Sequence, residues 1–414
     1  MSNHESAASK TRLLILASTY PRWAGDPEPG FVHELARRLT ADFEVRVVAP
    51  HARGASLSER LDGVEVIRFR YAPVGWETLV NEGGIIANLR RAPWKWLLVP
   101  PFLIAGVIAT WRAIETHQPD VIHAHWLIPQ GLAVAFLSLL RKQFPPVVVT
   151  SHGADLFALR GSIAAALKRF VIRRASQLTT VSAAMREELL TLGAEPTRVH
   201  VLPMGVDMRD RFTPDPSVSR APEEILFVGR LVEKKGLRYL IEAMPAILAA
   251  RPGVILRVAG FGPERAALEA RAAELGIADR VVFLGAVAQV DLPGLYRRAT
   301  VFVAPFVQAS SGDQEGLGLV TIEAIACGCP VVCSDLPATR DVIGTGGVRP
   351  ADPKALAAAV LRVLETSEAE ARRQAASLRE RLMERFDWSA VARAYAALLK
   401  TEVRCRLPAQ FKNA

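Results

Sequence analysis

Short, dense apolar runs recur along this chain, each ending in a polar turn that carries glycine or proline. Residues 13–17 (LLILA), 45–49, 120–125 (DVIHAH), 146–151 (PVVVTS), 177–181 and 199–202 are runs of this kind. Their near-continuous apolar character predicts strands buried on both faces. Between them lie stretches with helical spacing: Phe31, Leu35 and Leu39 fall on one face, Arg37 and Arg38 on the other. A further helix is predicted through 167–174, and residues 57–69 read as one strand or a pair. Strand, loop, helix, strand is the opening of a doubly wound parallel sheet.

The same alternation restarts after residue 222. Strands are predicted at 225–228, 255–259, 280–284, 301–305 and 330–333, with helices at 238–248 and 319–327 among the stretches between them. Residues 212–222, rich in Pro, Ser and Asp and without periodicity, read as a linker. From residue 352 the chain is helical and rich in Ala and Arg. The predicted fold class is therefore α/β, with two Rossmann-like doubly wound domains. The boundaries are 1–207, a linker at 208–222, 223–385, and a terminal helical segment at 386–414. A chain of 414 residues is comfortable for two such domains.

A net charge of +9 and a pI near 9.7 point to an anionic partner: a nucleotide, an acidic membrane surface or a nucleic acid. Much of the Arg and Lys is spread through amphipathic helices, so a solvated basic surface accounts for the same charge. No recognisable nucleic-acid module or aromatic–basic platform is present, and nucleic-acid binding is not expected. Cys327, Cys329 and Cys333 share one apolar segment, with no second pair or nearby histidine to complete a zinc site. They read as small packing residues in a reducing compartment. The first residues, MSNHESAASK, carry no apolar signal core, so a cytoplasmic location is expected. Residues 94–111 (WKWLLVPPFLIAGVIATW) are near the lower length limit for a membrane span and are interrupted by Pro100 and Pro101. Tryptophans flank the run, and Arg90, Arg91, Lys95 and Arg112 stand at its ends. A core or surface helix and a peripheral contact with the inner face of an anionic membrane both fit this composition better than a span does.

Candidate chemistry concentrates in residues 310–333 (SSGDQEGLGLVTIEAIACGCPVVC). Gly312, Gly316 and Gly318 let backbone amides approach a ligand, and the helix start that follows offers free N–H groups and a positive dipole end. Glu315 precedes this helix and Glu323 lies inside it. Carboxylates that grip hydroxyls beside amides that grip phosphate suit a sugar nucleotide; a glutamate that simply favours the dipole is the plainer reading. In residues 229–236 (GRLVEKKG), Arg230 at a strand end and Lys235 at the next helix start converge where an anion would sit. The strand at 146–151 delivers His152, Gly153 and Asp155 to its carboxyl edge, where a histidine can touch a sugar or simply pack. His123 and His125 end the strand before it, and contact with an acceptor suits His125 or Trp126. Gly25 and Gly30 place the loop after the first strand at the ligand edge of its sheet.

Residues 315–332 resemble the E-x7-E signature of the retaining family-4 glycosyltransferases, which have the two-Rossmann GT-B fold. Residues 229–236 resemble the family's G-R-x-x-x-x-K-G motif, 151–157 its H-G-x-D loop and 203–207 its P-x-G-V-D turn. The resemblance implies two domains facing a central cleft, with the terminal helix crossing back to the first. It assigns the donor diphosphate to Arg230, Lys235 and the amides of Gly318, Leu319 and Val320, and the ribose to Glu323. Glu315 and His152 take the catalytic positions beside the donor sugar. Gly25, Gly30, Asp155, His125, Gly260 and Gly262 are placed around donor and acceptor, and Lys234 is left without a role. Basic groups and a helix dipole would stabilise the leaving diphosphate, and no Asp-x-Asp pair is positioned for a metal, so no metal or other cofactor is expected. The implied reaction moves a sugar from a nucleotide-sugar donor to a glycan or lipid-linked acceptor, as in envelope or exopolysaccharide assembly. Alternatives on the same fold are a nucleotide-sugar epimerase, a glycan phosphorylase and a non-catalytic nucleotide- or glycan-binding subunit.

Overall fold

The computed structural model describes residues 10–26, 30–81 and 84–406. Outside them lie the first nine residues, from which the absence of a signal was read, part of the loop between Gly25 and Gly30, and the end of the terminal segment. The described chain divides into two compact units. Unit 1 comprises residues up to 180, 186–202 and 392 onward; unit 2 comprises 181–185 and 203–391.

Unit 1 carries β1 (Thr11–Leu16), α1 (Phe31–Leu39), β2 (Phe43–Pro50), β3 (Ser58–Leu61), β4 (Val64–Phe69), α2 (Ile85–Arg91) and α3 (Val99–His117). Then follow β5 (Val121–His125), α4 (Leu132–Leu137), β6 (Val147–Ser151), α5 (Ser162–Arg174), β7 (Gln177–Thr180), most of α6 (Ala183–Thr191) and β8 (Val199–Val201). The eight strands form one sheet in the order β3-β4-β2-β1-β5-β6-β7-β8. Every pairing is parallel except β3 with β4. Residues 57–69 are thus a hairpin, closed by Asp62 (φ 47°) and Gly63 (φ 83°), the Asp-Gly pair that a two-residue turn prefers. Leu13, Leu14 and Ile15 of β1 and Val121 and Ile122 of β5 are wholly buried, as strands covered on both faces must be.

Pro100 and Pro101 do not interrupt a helix. They stand in the first turn of α3, where an amide would have no intrahelical acceptor in any case. Before them, a 3-10 turn (Pro93–Leu98) and α2 close a satellite core of Tyr71, Leu79, Val80, Leu89, Leu98 and Phe102.

Unit 2 carries β9 (Glu224–Val228), α7 (Leu237–Ala250), β10 (Ile255–Ala259), α8 (Arg265–Glu274), β11 (Val281–Gly285), α9 (Leu292–Arg298) and β12 (Val301–Ala304). Next come α10 (Leu319–Ala326), β13 (Val331–Cys333), α11 (Pro337–Ile343), α12 (Pro353–Glu365), α13 (Glu368–Phe386) and the start of α14 (Trp388–Arg406). Its five strands are all parallel, in the order β11-β10-β9-β12-β13. The segment read as a linker packs into this unit. Phe212 is buried edge-on against Tyr296 at 6.2 Å, and Arg297 donates to the Thr213 carbonyl at 2.7 Å. One large aromatic outweighs a turn-rich composition here. Residues of α14 from 392 onward belong to unit 1, where Tyr395 donates to the Leu202 carbonyl (2.9 Å) and Gln177 donates to Glu402 (2.8 Å).

Candidate functional site

In a doubly wound sheet, ligands bind beyond the carboxyl ends of the strands where the strand order reverses. In unit 2 the reversal falls between β9 and β12. β9 runs out into Gly229 and Arg230; β12 runs out into the loop that leads to α10. A 3-10 turn (Glu233–Lys235) follows the first, and each of its three side chains grips the loop of the second. Glu233 accepts from the amide and hydroxyl of Ser310 at 2.8 and 2.9 Å. Lys234 reaches Asp313 at 3.2 Å, and Lys235 reaches Glu315 at 2.7 Å. Gly236 closes the turn at φ 68° with its Cα against the chain after β12; a Cβ there would stand 1.8 Å from the Pro305 carbonyl oxygen. The run Glu-Lys-Lys-Gly is therefore a clamp on the 310–315 loop.

The Lys235–Glu315 pair is largely withdrawn from solvent, with 13% and 15% of the two side chains exposed. Burial by itself raises the Glu315 carboxyl, but Lys235, Lys234 and the Gly318 amide outweigh it and hold the group at about 2. Against the ordinary 4.5, that lowering is worth on the order of 3 kcal/mol of stability above pH 4.5, lost as the pH falls from there toward 2. The Lys235 ammonium also lies over the Phe306 ring, 4.7 Å from its centroid.

Gly318 is the N-cap of α10, and the Leu319 and Val320 amides stand in its first turn, where no intrahelical acceptor exists. Inside α10, Glu323 is 6% exposed and accepts from Tyr296 Oη at 3.0 Å and Gln289 Nε2 at 3.1 Å. Burial pushes its carboxyl up, and these two hydrogen bonds oppose the shift. Gly260 and Gly262, after β10, are zipped onto residues 229–231. The Leu231 amide donates to the Phe261 carbonyl at 2.9 Å, and a Cβ on Gly260 would stand 1.8 Å from the Gly229 carbonyl oxygen. Their absent side chains serve the approach of two backbones.

In unit 1 the strand order reverses between β1 and β5. His125 at the end of β5 and His152 just after β6 stack at 5.2 Å, with His125 Nδ1 and His152 Nε2 2.9 Å apart. Phe31 and Trp126 each stand 4.9 Å from the His152 ring. His123 packs 4.2 Å from His125 and is hydrogen-bonded to Thr150 Oγ1 at 2.7 Å. Two residues expected around donor and acceptor are turned inward. His125 is 0% exposed and backs His152. Asp155 is 2% exposed, and its carboxylate is taken up by Leu127 N (2.7 Å), Ser151 Oγ (2.9 Å) and the His152 and Gly153 amides (3.3 Å each). It anchors the turn that presents His152. Gly25 (φ 80°) sits in a turn closed by Arg22 Nε on Asp26 at 2.8 Å, and Gly30 caps α1.

Burial drives the imidazoles neutral: it lowers His123 and His152 to about 3 and His125 well below its ordinary value, with neighbouring histidines adding to the last two. The folded values lie below the unfolded value near 6.5. As pH falls beneath 6.5, the unfolded chain therefore takes up protons that the fold refuses, and stability drops until the folded value is reached. At pH 5 the loss is roughly 2 kcal/mol for each fully buried imidazole. Urea unfolding of unit 1 is accordingly expected to shift to lower midpoint between pH 7 and pH 5, and His123→Asn to show a visibly smaller shift. A midpoint flat across that interval would contradict the buried neutral cluster.

Sequence reading missed Glu233, Lys234, Ser310 and Asp313, the staples of the loop, and Gln289 and Tyr296, which hold Glu323. These partners lie 27 to 79 residues apart and share no local pattern.

Residues 31–210 match Glycosyltransferase Family 4, and residues 209–380 match Glycosyl transferases group 1. The glycogen synthase of Mycobacterium tuberculosis is 30% identical over 414 residues, spanning 93% of this chain and 93% of its own. The phosphatidyl-myo-inositol mannosyltransferase of Mycobacterium leprae is 29% identical over 84% of this chain and 86% of its own. The sucrose-phosphate synthase structure from Thermosynechococcus elongatus covers 95% of this chain and 99% of its own at a TM-score of 0.76 and 22% identity, a likeness of fold. With two parallel-sheet units and a fold like that of GT-B proteins, the chain belongs to the group 1, family 4 glycosyltransferases, enzymes that transfer a sugar from a nucleotide-sugar donor.

Proposed function

We propose that this enzyme is a retaining, metal-independent transferase whose acceptor is a lipid-linked glycan or lipid headgroup, met at the inner face of an anionic membrane. The observation that carries the acceptor class is an exposed aromatic and aliphatic surface on unit 1. Trp94, Trp96 (60% exposed), Leu97 (78%), Ile104 (60%), Ile108 and Trp111 all face outward from the 3-10 turn and α3. Pro93–His117 is the one helical stretch among the described residues long and apolar enough to cross a membrane, yet most of its apolar window is uncovered while α3 packs on the sheet of unit 1. Exposed Arg90, Arg91 and Arg112 stand at its ends. Tryptophan and arginine around an exposed apolar face suit a monotopic contact with anionic lipid. That one relative is a phosphatidyl-myo-inositol mannosyltransferase accords with this acceptor class.

The donor chemistry follows from the clamp in unit 2. Arg230, Lys235 and the α10 amides take the diphosphate, where they stabilise the charge that develops as the anomeric C–O bond breaks. Lys235 then exchanges Glu315 for phosphate, which releases the carboxylate toward the donor sugar. Glu323, fixed by Tyr296 and Gln289, takes the ribose, and neutral His152 hydrogen-bonds the sugar. An acceptor hydroxyl attacks the anomeric carbon from the face of the leaving group, its proton passes to the departing diphosphate oxygen, and configuration is retained without a covalent enzyme intermediate.

A thermal-shift panel of UDP, GDP, ADP, TDP and their common sugar conjugates tests this reading, run with EDTA throughout. One base series should stabilise unit 2 by about 2.7 kcal/mol when ligand is at a hundred times its dissociation constant. Transfer should persist in EDTA; activity lost there and restored by manganese would end the metal-independent proposal. If no nucleotide shifts the transition, the donor assignment fails and phosphate becomes the substrate to try.

A further inference from the structure

We propose that an apolar chamber at the strand-order reversal of unit 1 binds one hydrocarbon chain of a phosphate-bearing lipid, an inference that rests on the lipid-acceptor reading above. The chamber has a volume of about 350 Å³. Leu16 at the end of β1, Ala17 just after it and Phe69 at the end of β4 line one side, Gly106 and Val107 of α3 and Phe136 of α4 the others. The first three positions are at carboxyl ends of parallel strands, the edge at which such sheets bind ligands. The size is that of a small-ligand site.

The lining states what enters. Gln130 is one of only two polar residues in the wall, and both ends of its amide are engaged by the chain: nitrogen to the His125 carbonyl at 3.1 Å, oxygen from the Ser18 amide at 2.9 Å, in the orientation that satisfies both. A sugar or nucleotide in the chamber would leave its hydroxyls unpaired, which is costly, whereas a hydrocarbon chain loses nothing. The way in is apolar as well. Phe136 lines the chamber and is also 48% exposed. Along α3, positions 103, 106, 107 and 110 face the chamber, while the adjoining stripe 104, 108 and 111 faces outward. Apolar surface thus runs from the outer face of α3 into the interior. The last turn of α3 lies at the amino edge of the sheet, where His117 meets Glu44 of β2 at 3.9 Å, so its first turn lies at the carboxyl edge. The exposed Arg90 and Arg91 just ahead of it offer the charge that a phosphate headgroup would meet. Because the chamber and the histidine cluster share Gln130, a chain held in one keeps its headgroup at the sheet edge that carries the other.

The test is calorimetric titration of the full-length protein with ethyl, hexyl and dodecyl phosphate, each below its micelle concentration. Burial of methylenes predicts roughly a fourfold gain in affinity for each one added until the chamber is full. Ethyl to hexyl phosphate should therefore gain roughly two hundredfold, and dodecyl phosphate more, up to the length at which the chain fills the chamber. Farnesyl phosphate, run beside the dodecyl compound, tells a prenyl chain from an acyl chain. Gly106→Leu, whose side chain would project toward Phe69 from a Cβ 3.5 Å away, should return dodecyl phosphate to the ethyl level. Its nucleotide thermal shift should stay unchanged, because that readout belongs to unit 2. Should that variant not fold, Val107→Gln tests the same point by placing an amide inside. Affinity that ignores chain length, or survives Gly106→Leu in a folded protein, overturns the chamber assignment. Glycosyl transfer to a lipid acceptor without such chain-length dependence would leave the acceptor reading standing and remove the chamber alone. Chain-length-dependent binding with transfer only to water-soluble sugars would remove the acceptor assignment.

Discussion

Lys235→Ala is expected to weaken nucleoside-diphosphate binding by one to two orders of magnitude in calorimetric titration. A charge-assisted contact is worth about 1.5–3 kcal/mol, or roughly ten- to a hundredfold. Two features of the loop set the sign of further effects. Lys235 is paired with Glu315, so binding exchanges one anion for another and the wild-type gain is moderated. Removal of the lysine also leaves the Glu315 carboxylate facing the incoming phosphates without its nearest cation, and that repulsion deepens the loss. Lys235→Ala with Glu315→Gln should therefore bind diphosphate better than Lys235→Ala alone. Stability follows the same logic. The ion pair stabilises above pH 4.5 and its contribution vanishes as pH falls toward 2, so the variant should be destabilised at pH 7 and converge on wild type in acid. Unchanged diphosphate affinity in Lys235→Ala would remove the phosphate assignment.

Glu315→Gln should lower the transfer rate by about a hundredfold or more, the scale seen when one preorganised group at a reacting centre is lost. Diphosphate affinity should hold or increase, because the substitution frees Lys235 from its carboxylate. A purely structural glutamate would behave otherwise: its loss would loosen the 310–315 loop and weaken binding and turnover together. The separation of kcat from diphosphate affinity is thus the deciding readout. With Lys235 holding the carboxyl at about 2 before donor binds, kcat/KM should show no titration from this group near neutral pH.

The second half of the chain was legible because its chemistry is local. Glu315 and Glu323 bracket the start of a single short helix, and Arg230 and Lys235 bracket a single turn, so spacing along the chain translates into spacing in space. The long run from 94 to 111 was harder to read, since its composition fits a core helix, an interfacial helix and a span alike. Its two prolines pointed to an interruption, but they fall in the opening turn of α3, where proline has no amide to miss. The segment 212–222 misled in the opposite sense: Phe212, a single aromatic amid turn-forming residues, seats it in the core of unit 2.

Alternating apolar runs and helical stretches, together with the glycine-, lysine- and glutamate-bearing motifs, were enough to determine two doubly wound units and the family. Both signals depend on neighbours within about ten residues, and periodicity and motif spacing report such neighbours directly. Tertiary structure alone decided which polar groups remain available. It turned Asp155 inward onto four donors, buried His125 behind His152, made Lys234 a staple and set Tyr296 and Gln289 against Glu323. Those outcomes rest on burial and on hydrogen bonds between residues far apart in the chain, and no local pattern records which distant group a side chain will meet once the sheets close.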